Sequence, residues 1–253
     1  MGILLTAGRR LTASELVALA APFRISATNV KSHLTRMVAQ GVLQREGRTR
    51  KATYEPTETQ AHLNNSIRER LSGKRERRWD STWLQLTVQP SRIRSERDRL
   101  HFGLWFAGFR PIAPNIYLRP AWPLPWAEDE ARRFSGAAGG VCLRGAVLAS
   151  PTDLNRLYDL DELDSEAAAL ASHIRRRIRA GMSPRKAFIE RMRVGGQAAP
   201  LIGHDPRLPA EIWGQRHGLR DLVQAFLEFE SAVGKPATAF VQQVVSSMRK
   251  ENL

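Results

Sequence analysis

Residues 26–41 read Ser-Ala-Thr-Asn-Val-Lys-Ser-His-Leu-Thr-Arg-Met-Val-Ala-Gln-Gly, and their pattern decides how the N-terminal third folds. Val30, Leu34, Met37 and Val38 share one side of a helix expected over about 27–40. The opposite side shows Thr28, Asn29, Lys31, Ser32, Thr35 and Arg36, a small, polar and basic face without an acidic residue. Ser26 is suited to cap the first turn, and Gly41 to end the helix in a left-handed conformation.

Upstream, Thr12 followed by Glu15 is a capping-box signature. The helix it opens carries Leu16, Val17, Leu19 and Ala20 and ends at Pro22. Phe23-Arg24-Ile25 then form a short turn, with two apolar groups to pin it to the core. Downstream, Val42–Arg45 reads as a strand, Glu46–Lys51 as a glycine-containing turn and Ala52–Tyr54 as the returning strand. Helix, turn, helix and basic hairpin together spell a winged helix-turn-helix. In that reading Asn29, Lys31, Ser32 and Thr35, with Thr28 beside them, approach base edges in a major groove. Arg48, Thr49, Arg50 and Lys51 of the hairpin grip phosphates or the minor groove. Arg36 either contacts phosphate or pairs within the domain.

The charge is distributed accordingly. The 253 residues carry a formal net charge of +14, and residues 1–78 hold 15 Lys and Arg against 6 Asp and Glu. A concentrated positive field favours a polyanion, because each neutralised phosphate releases a counterion. An anionic membrane would want that charge on an amphipathic helix, whereas here it clusters on turns and short helices. The segment Met1–Thr6 reads either as the apolar first helix of a small domain or as a short myristoylation pattern. Cys142 is the sole cysteine, which excludes a disulfide framework within one chain and suits a cytoplasmic location. No stretch of about 18 apolar residues occurs, so no spanning helix and no membrane partner are expected.

Thr57–Leu71 reads as one more helix, followed by a charged linker over 73–78. Trp79–Val88 alternates as a strand, Ser91–Ala107 as a helix, Ile116–Leu118 as a short strand and Val141–Leu148 as another. Residues 135–140 read as a flexible turn. This strand-helix-strand run suggests a small sandwich of ferredoxin-like type. From Pro151 the pattern is helical, over about 164–180, 183–192, 219–233 and 237–248, with a loop-rich insert of glycines and prolines over 195–209. The class is α+β. Its expected parts are a winged helix-turn-helix over 1–72, the linker, a central ferredoxin-like α/β sandwich domain over 79–150 for dimerisation and sensing, and a C-terminal helical domain over 151–253.

Three blocks then carry a resemblance. They are Val30–Met37 with Gly41-Val42-Leu43 and the Gly47-Arg48 turn; Trp79–Trp83, answered by Gly108-Phe109 and Ile116–Pro120; and His204–Pro209 followed by Trp213. In these the chain resembles the PaaX-like family, bacterial transcriptional regulators of phenylacetate breakdown and related catabolic operons. The resemblance implies a homodimer on double-stranded inverted-repeat operator DNA, acting mostly as a repressor released by an acyl-coenzyme A effector, with no bound cofactor. Such an effector needs cations for its phosphates and apolar walls for its acyl group, for which Arg119, Arg207 and Trp213 are candidates, with His204 to orient it.

Two other classes compete. The ferredoxin-like middle invites a metal-dependent nuclease, which needs carboxylates converging on a cation. Asp80 is the candidate there, without a second acid placed beside it in sequence, and no catalytic residue or metal ligand is assigned. No Gly-x-Ser-x-Gly elbow, phosphate loop or zinc helix motif occurs. A winged helix can also serve as a protein-interaction scaffold, which the basic excess disfavours.

Overall fold

The computed structural model describes residues 2–47, 52–71, 79–89, 91–122, 126–137, 139–146, 154–178 and 181–250. Helix and sheet are mixed, with two antiparallel sheets, so the α+β class holds. Among the described residues no helix is long and apolar enough to cross a membrane. The chain divides into two compact units. One comprises 1–72, 170–200 and 222–253, the other 73–169 and 201–221. The helices after Pro151 thus contribute to both units.

The first unit begins with α1 (Gly2–Ala7), β1 (Leu11–Thr12), α2 (Ala13–Ala20), a 3-10 turn (Ala21–Phe23) and α3 (Ala27–Ala39). It continues with β2 (Leu43–Glu46), β3 (Thr53–Pro56) and α4 (Glu58–Leu71). The Thr12–Glu15 capping box forms as the spacing predicts. Thr12 Oγ1 accepts from the Glu15 amide at 3.2 Å, and Glu15 Oε2 accepts from the Thr12 amide at 2.7 Å. The three strands lie in the order β1-β3-β2. Leu4, Leu11, Leu16, Leu19, Leu34, Met37 and Leu43 close the core between them and the helices.

The same unit holds the end of α8 (Leu160–Arg177), most of α9 (Pro184–Gly203) and most of α11 (Gly218–Lys250). Two expectations are corrected here. The glycines and proline at 195, 196 and 200 do not form a loop; they lie inside α9. α11 also runs unbroken through Pro236. A proline inside a helix costs about 3 kcal/mol. In α11 it is outweighed by the buried stripe Phe229, Val233, Ala237, Val241 and Val245, because each large apolar side chain contributes roughly 1.5–3 kcal/mol on burial. Val194, Ala198 and Ile202 do the same for α9. Arg191 on α9 donates to both carboxylate oxygens of Glu230 on α11, with contacts of 2.7–3.0 Å.

The second unit contains β4 (Trp83–Thr87), α5 (Arg94–Phe106), β5 (Arg110–Ala113), β6 (Ile116–Pro120), α6 (Trp126–Ala137) and β7 (Val141–Ala146). The strand order is β5-β6-β4-β7 with all neighbours antiparallel. α6 replaces the first part of the expected flexible turn over 135–140, and β5 was not foreseen. α5 and α6 cover one face of the sheet over Leu84, Leu86, Tyr117, Leu104, Ala127, Ala131 and Phe134. On the other side Tyr158, from α7 (Leu154–Tyr158), reaches β6 through its hydroxyl, which donates to the Leu118 carbonyl at 3.4 Å. Tyr158, Leu160 and Leu208 are the buried residues of that cluster, with Trp213 of α10 (Ala210–Trp213) packed against them.

Candidate nucleic-acid interface

α3 is built so that one side must go inward and the other outward. Ser26 caps it, its hydroxyl accepting from the Asn29 amide at 3.2 Å. Leu34 and Met37 are buried, with Val30 and Val38 half-buried beside them. Its far end closes with the Gly41 amide on the Val38 carbonyl at 3.0 Å and the Val42 amide on the Met37 carbonyl at 2.9 Å. Gly41 sits at φ +69°, the left-handed conformation expected of it. The Thr57 hydroxyl donates to the Gly41 carbonyl at 2.8 Å, which fixes the exit toward α4.

Thr28, Asn29, Lys31, Ser32, Thr35 and Arg36 are all exposed on the remaining surface of α3. Two of them have local partners. The Thr35 hydroxyl donates to the Lys31 carbonyl at 3.1 Å, and Arg36 Nη2 lies 2.8 Å from His33 Nδ1. The Arg36–His33 contact is exposed, so both roles open to Arg36, pairing within the domain and contact with phosphate, stay open. Arg48, Thr49, Arg50 and Lys51 lie outside the described residues.

Strands β2 and β3, with Arg10 just before β1, hold an ordered polar network. Glu55 accepts from Gln44 Nε2 at 2.6 Å and from Arg10 Nε at 2.7 Å, and Arg10 also pairs with Glu46. The Gln44 hydrogen bond first, and Arg10 second, hold the Glu55 carboxyl below its ordinary pKa of 4.5. Arg45, between these two, is exposed on β2. Arg24 is exposed in the turn before α3 at φ +58°. Neither was singled out from the sequence, although residues 16–45 contain Arg24, Lys31, Arg36 and Arg45 and no acid at all. The expectation that Phe23 and Ile25 both pin this turn is half correct. Phe23 meets Phe188 of α9 edge-on at 5.8 Å, whereas Ile25 is 45% exposed.

The residues considered for an effector all fall in the second unit, in different surroundings. Arg119 is fully buried. It donates to the Pro120 carbonyl at 3.0 Å and to the carbonyls of Ala107 and Trp122, and stacks over Phe109 at 5.6 Å. These contacts make it an internal cation holding main-chain turns together, out of a ligand's reach. His204 stands edge-on to Trp105 at 4.4 Å, and burial, with Arg110 nearby, lowers its pKa from 6.5. Asp205 accepts from the Arg207 amide at 2.8 Å, making a tight turn with Arg207 at φ +53°. That turn packs on Gly108, where a Cβ would collide with the Pro206 carbonyl. Two distant sequence blocks, Gly108-Phe109 and His204–Pro209, therefore meet at one place.

Asp80, the nuclease candidate, is engaged otherwise. Its carboxylate accepts from the Thr82 amide at 3.0 Å and from the Thr82 hydroxyl at 2.6 Å. Arg144 stands between it and Glu128, at 3.4 and 2.7 Å. These two acids converge on a guanidinium.

Among solved structures, the chain is similar to the uncharacterized protein Rv0674 from Mycobacterium tuberculosis. The two share 25% identity and a TM-score of 0.54 over 95% of this chain and 96% of that one. No curated protein matches the chain. Residues 3–60, from α1 into α4, match the family model described as PaaX-like protein, the family that the sequence resembles.

Proposed function

We propose that this chain is a sequence-specific DNA-binding transcriptional regulator whose α2, turn, α3 and β2–β3 hairpin act as a winged helix-turn-helix. The observation that carries the proposal is the outer face of α3, solvent-exposed along its length and without an acidic residue, over an inner face closed by Leu34 and Met37. A helix so divided can enter a major groove without bringing a carboxylate toward the phosphates. Asn29, Lys31, Ser32 and Thr35 address base edges, with Thr28 at the entry. Arg48, Thr49, Arg50 and Lys51 hold the backbone or the minor groove, joined by Arg24 and Arg45.

The second unit's strand-helix-strand-strand-helix-strand run is read as a ferredoxin-like sandwich that mediates dimerisation and sensing. Two such chains would present two α3 helices to an inverted repeat, with half-sites about 34 Å apart or a multiple of it. The regulator is read as a cytoplasmic repressor of a catabolic operon, released by an acyl-coenzyme A. With Arg119 enclosed, the phosphates of such a molecule must look to other cations than that one. If acyl-coenzyme A at millimolar concentration leaves the melting temperature unchanged, the effector part of the reading falls.

The DNA reading is tested by enriching bound duplexes from a random pool and measuring anisotropy on the winner for wild type, Lys31→Ala and Arg50→Ala. An inverted-repeat winner is expected. Each variant should weaken binding by on the order of tenfold, and a lost phosphate contact should lower the salt slope by about 1. Unchanged affinity and slope in both variants would remove the assignment.

A further inference from the structure

We propose that the last turn of α8 and the first turn of α9 form a second phosphate-contacting surface, which extends the duplex footprint beyond α3 and the hairpin. The inference rests on the DNA-binding reading and adds a second contact to it. Between Glu166 and Glu190 the sequence has no acid and six cations, at 175–177, 179, 185 and 186. Such a run on a helix is ordinarily a solvated face. Its position in the first unit changes that reading.

Phe188 is fully buried, stacked on Phe240 of α11 at 5.1 Å, and Phe23 of the turn before α3 packs against its edge at 5.8 Å. The turn is thereby fastened to α9. Arg185 and Lys186 precede Phe188 by three and two residues, so they lie within about 5 Å of it along the helix axis, and both are exposed. The end of α8 is held to the same place, because Arg177 donates to Glu190 at 2.6 Å and to His173 at 2.9 Å. Arg176, next to it, is exposed. Arg24 stands exposed on the turn itself. Two acid-free stretches far apart in sequence, 16–45 and 167–189, are thus joined at the Phe23–Phe188 contact. The contact brings the turn that carries the exposed Arg24, just before α3, against the helix whose first turn carries the exposed Arg185 and Lys186. The partner of this second surface is the duplex backbone flanking the recognised bases, because scattered guanidinium and ammonium groups meet phosphates without reading sequence.

The experiment measures binding of the full chain to a random-sequence duplex of about 30 base pairs by anisotropy across a salt series. The proteins compared are wild type, R185Q/K186Q, R185K/K186R, R176Q on α8 and R50A between β2 and β3. Neutralising two cations should lower the log–log salt slope by about 2, and R176Q should lower it by about 1. The charge-conserving R185K/K186R should keep the wild-type slope. A wild-type slope in both R185Q/K186Q and R176Q, with R50A lowered, overturns the second surface and leaves the winged-helix contact standing. Failure of the wild type itself to bind any duplex overturns the DNA reading and the second surface together. A loss in R185Q/K186Q that R185K/K186R shares shows that side-chain shape rather than charge is at work, and also overturns the proposal.

Discussion

Lys31 and Arg36 stand on α3 with their side chains in solvent, while Arg110 and Arg119 on β5 and β6 are 5% and 0% exposed. Both pairs add equally to the net charge, yet they serve opposite ends. The buried pair is wrapped in main-chain carbonyls and rings. Arg110 donates to the carbonyls of Trp105 and Phe109 at 2.9 and 3.0 Å and lies over the rings of Trp105 and Tyr158 at 4.8 and 5.2 Å. Burial pushes its pKa down to about 10, still well above neutrality, so it remains charged. A net charge counted from sequence therefore overstates what a polyanion meets. Two of the nine cations between 79 and 150 are interior, which concentrates the effective field further toward the first unit.

The largest effect that can break this contrast is expected at Arg119. Arg119→Met keeps much of the side-chain volume and takes the guanidinium from the carbonyls of Ala107 and Trp122, while the Pro120 carbonyl keeps the Trp122 amide at 2.7 Å. Buried acceptors left unmet cost about 1–3 kcal/mol each, so a loss on the order of 3 kcal/mol is expected in urea unfolding. A loss under about 1 kcal/mol would mean that the guanidinium is not what holds these turns. The surface counterpart, Lys31→Ala, should leave stability unchanged.

Gly108→Ala comes next. At φ +84°, with the Pro206 carbonyl where its Cβ would go, the variant should lose roughly 2 kcal/mol by combined strain and displacement of the 204–209 turn. If the Trp105–His204 contact is lost with it, Trp105 fluorescence should change. Ser26→Ala should remove about 1 kcal/mol by uncapping α3, and should weaken DNA binding as well, because Thr28 and Asn29 ride on that first turn. Stability loss without any binding change would show that the start of α3 does not face the duplex.

The two regions also differ in how far the sequence exposes them. α2, the turn and α3 are set by local signals, the Thr12–Glu15 box, the Ser26 cap and the Gly41 stop, which depend on a few neighbouring residues. α6 left little trace, because its inward stripe Ala127, Ala131 and Phe134 is mostly alanine and its flanks are rich in proline and glycine. β5 was hidden for a similar reason, since only Arg110 of its four residues is buried. The interior place of Arg119 was legible in principle, because it lies two residues from Tyr117 on one strand and so shares its face. That the residue facing inward is a cation requires knowing that three carbonyls wait for it, which only the folded chain shows. Pro200 and Pro236 misled because helix propensity is weak beside packing. At the site, the six α3 residues emerged where expected, whereas Arg24 was masked by the apolar residues on either side of it.

The smallest predicted effect concerns charges that are exposed but already paired. Glu55 on β3, held by Gln44 and Arg10, has its pKa depressed below 4.5 in the folded chain. A depressed carboxylate adds stability above the pH at which the unfolded chain ionises, and that contribution disappears as pH falls through the lower folded value. Wild type should therefore be slightly more stable than Glu55→Gln near neutrality, and the two melting temperatures should converge once the pH drops below the ordinary carboxylate range. The gap will be small, because the group is near solvent and screened by salt. A gap that holds constant from neutral to strongly acidic pH would mean that the amide, not the charge, is what Glu55→Gln alters.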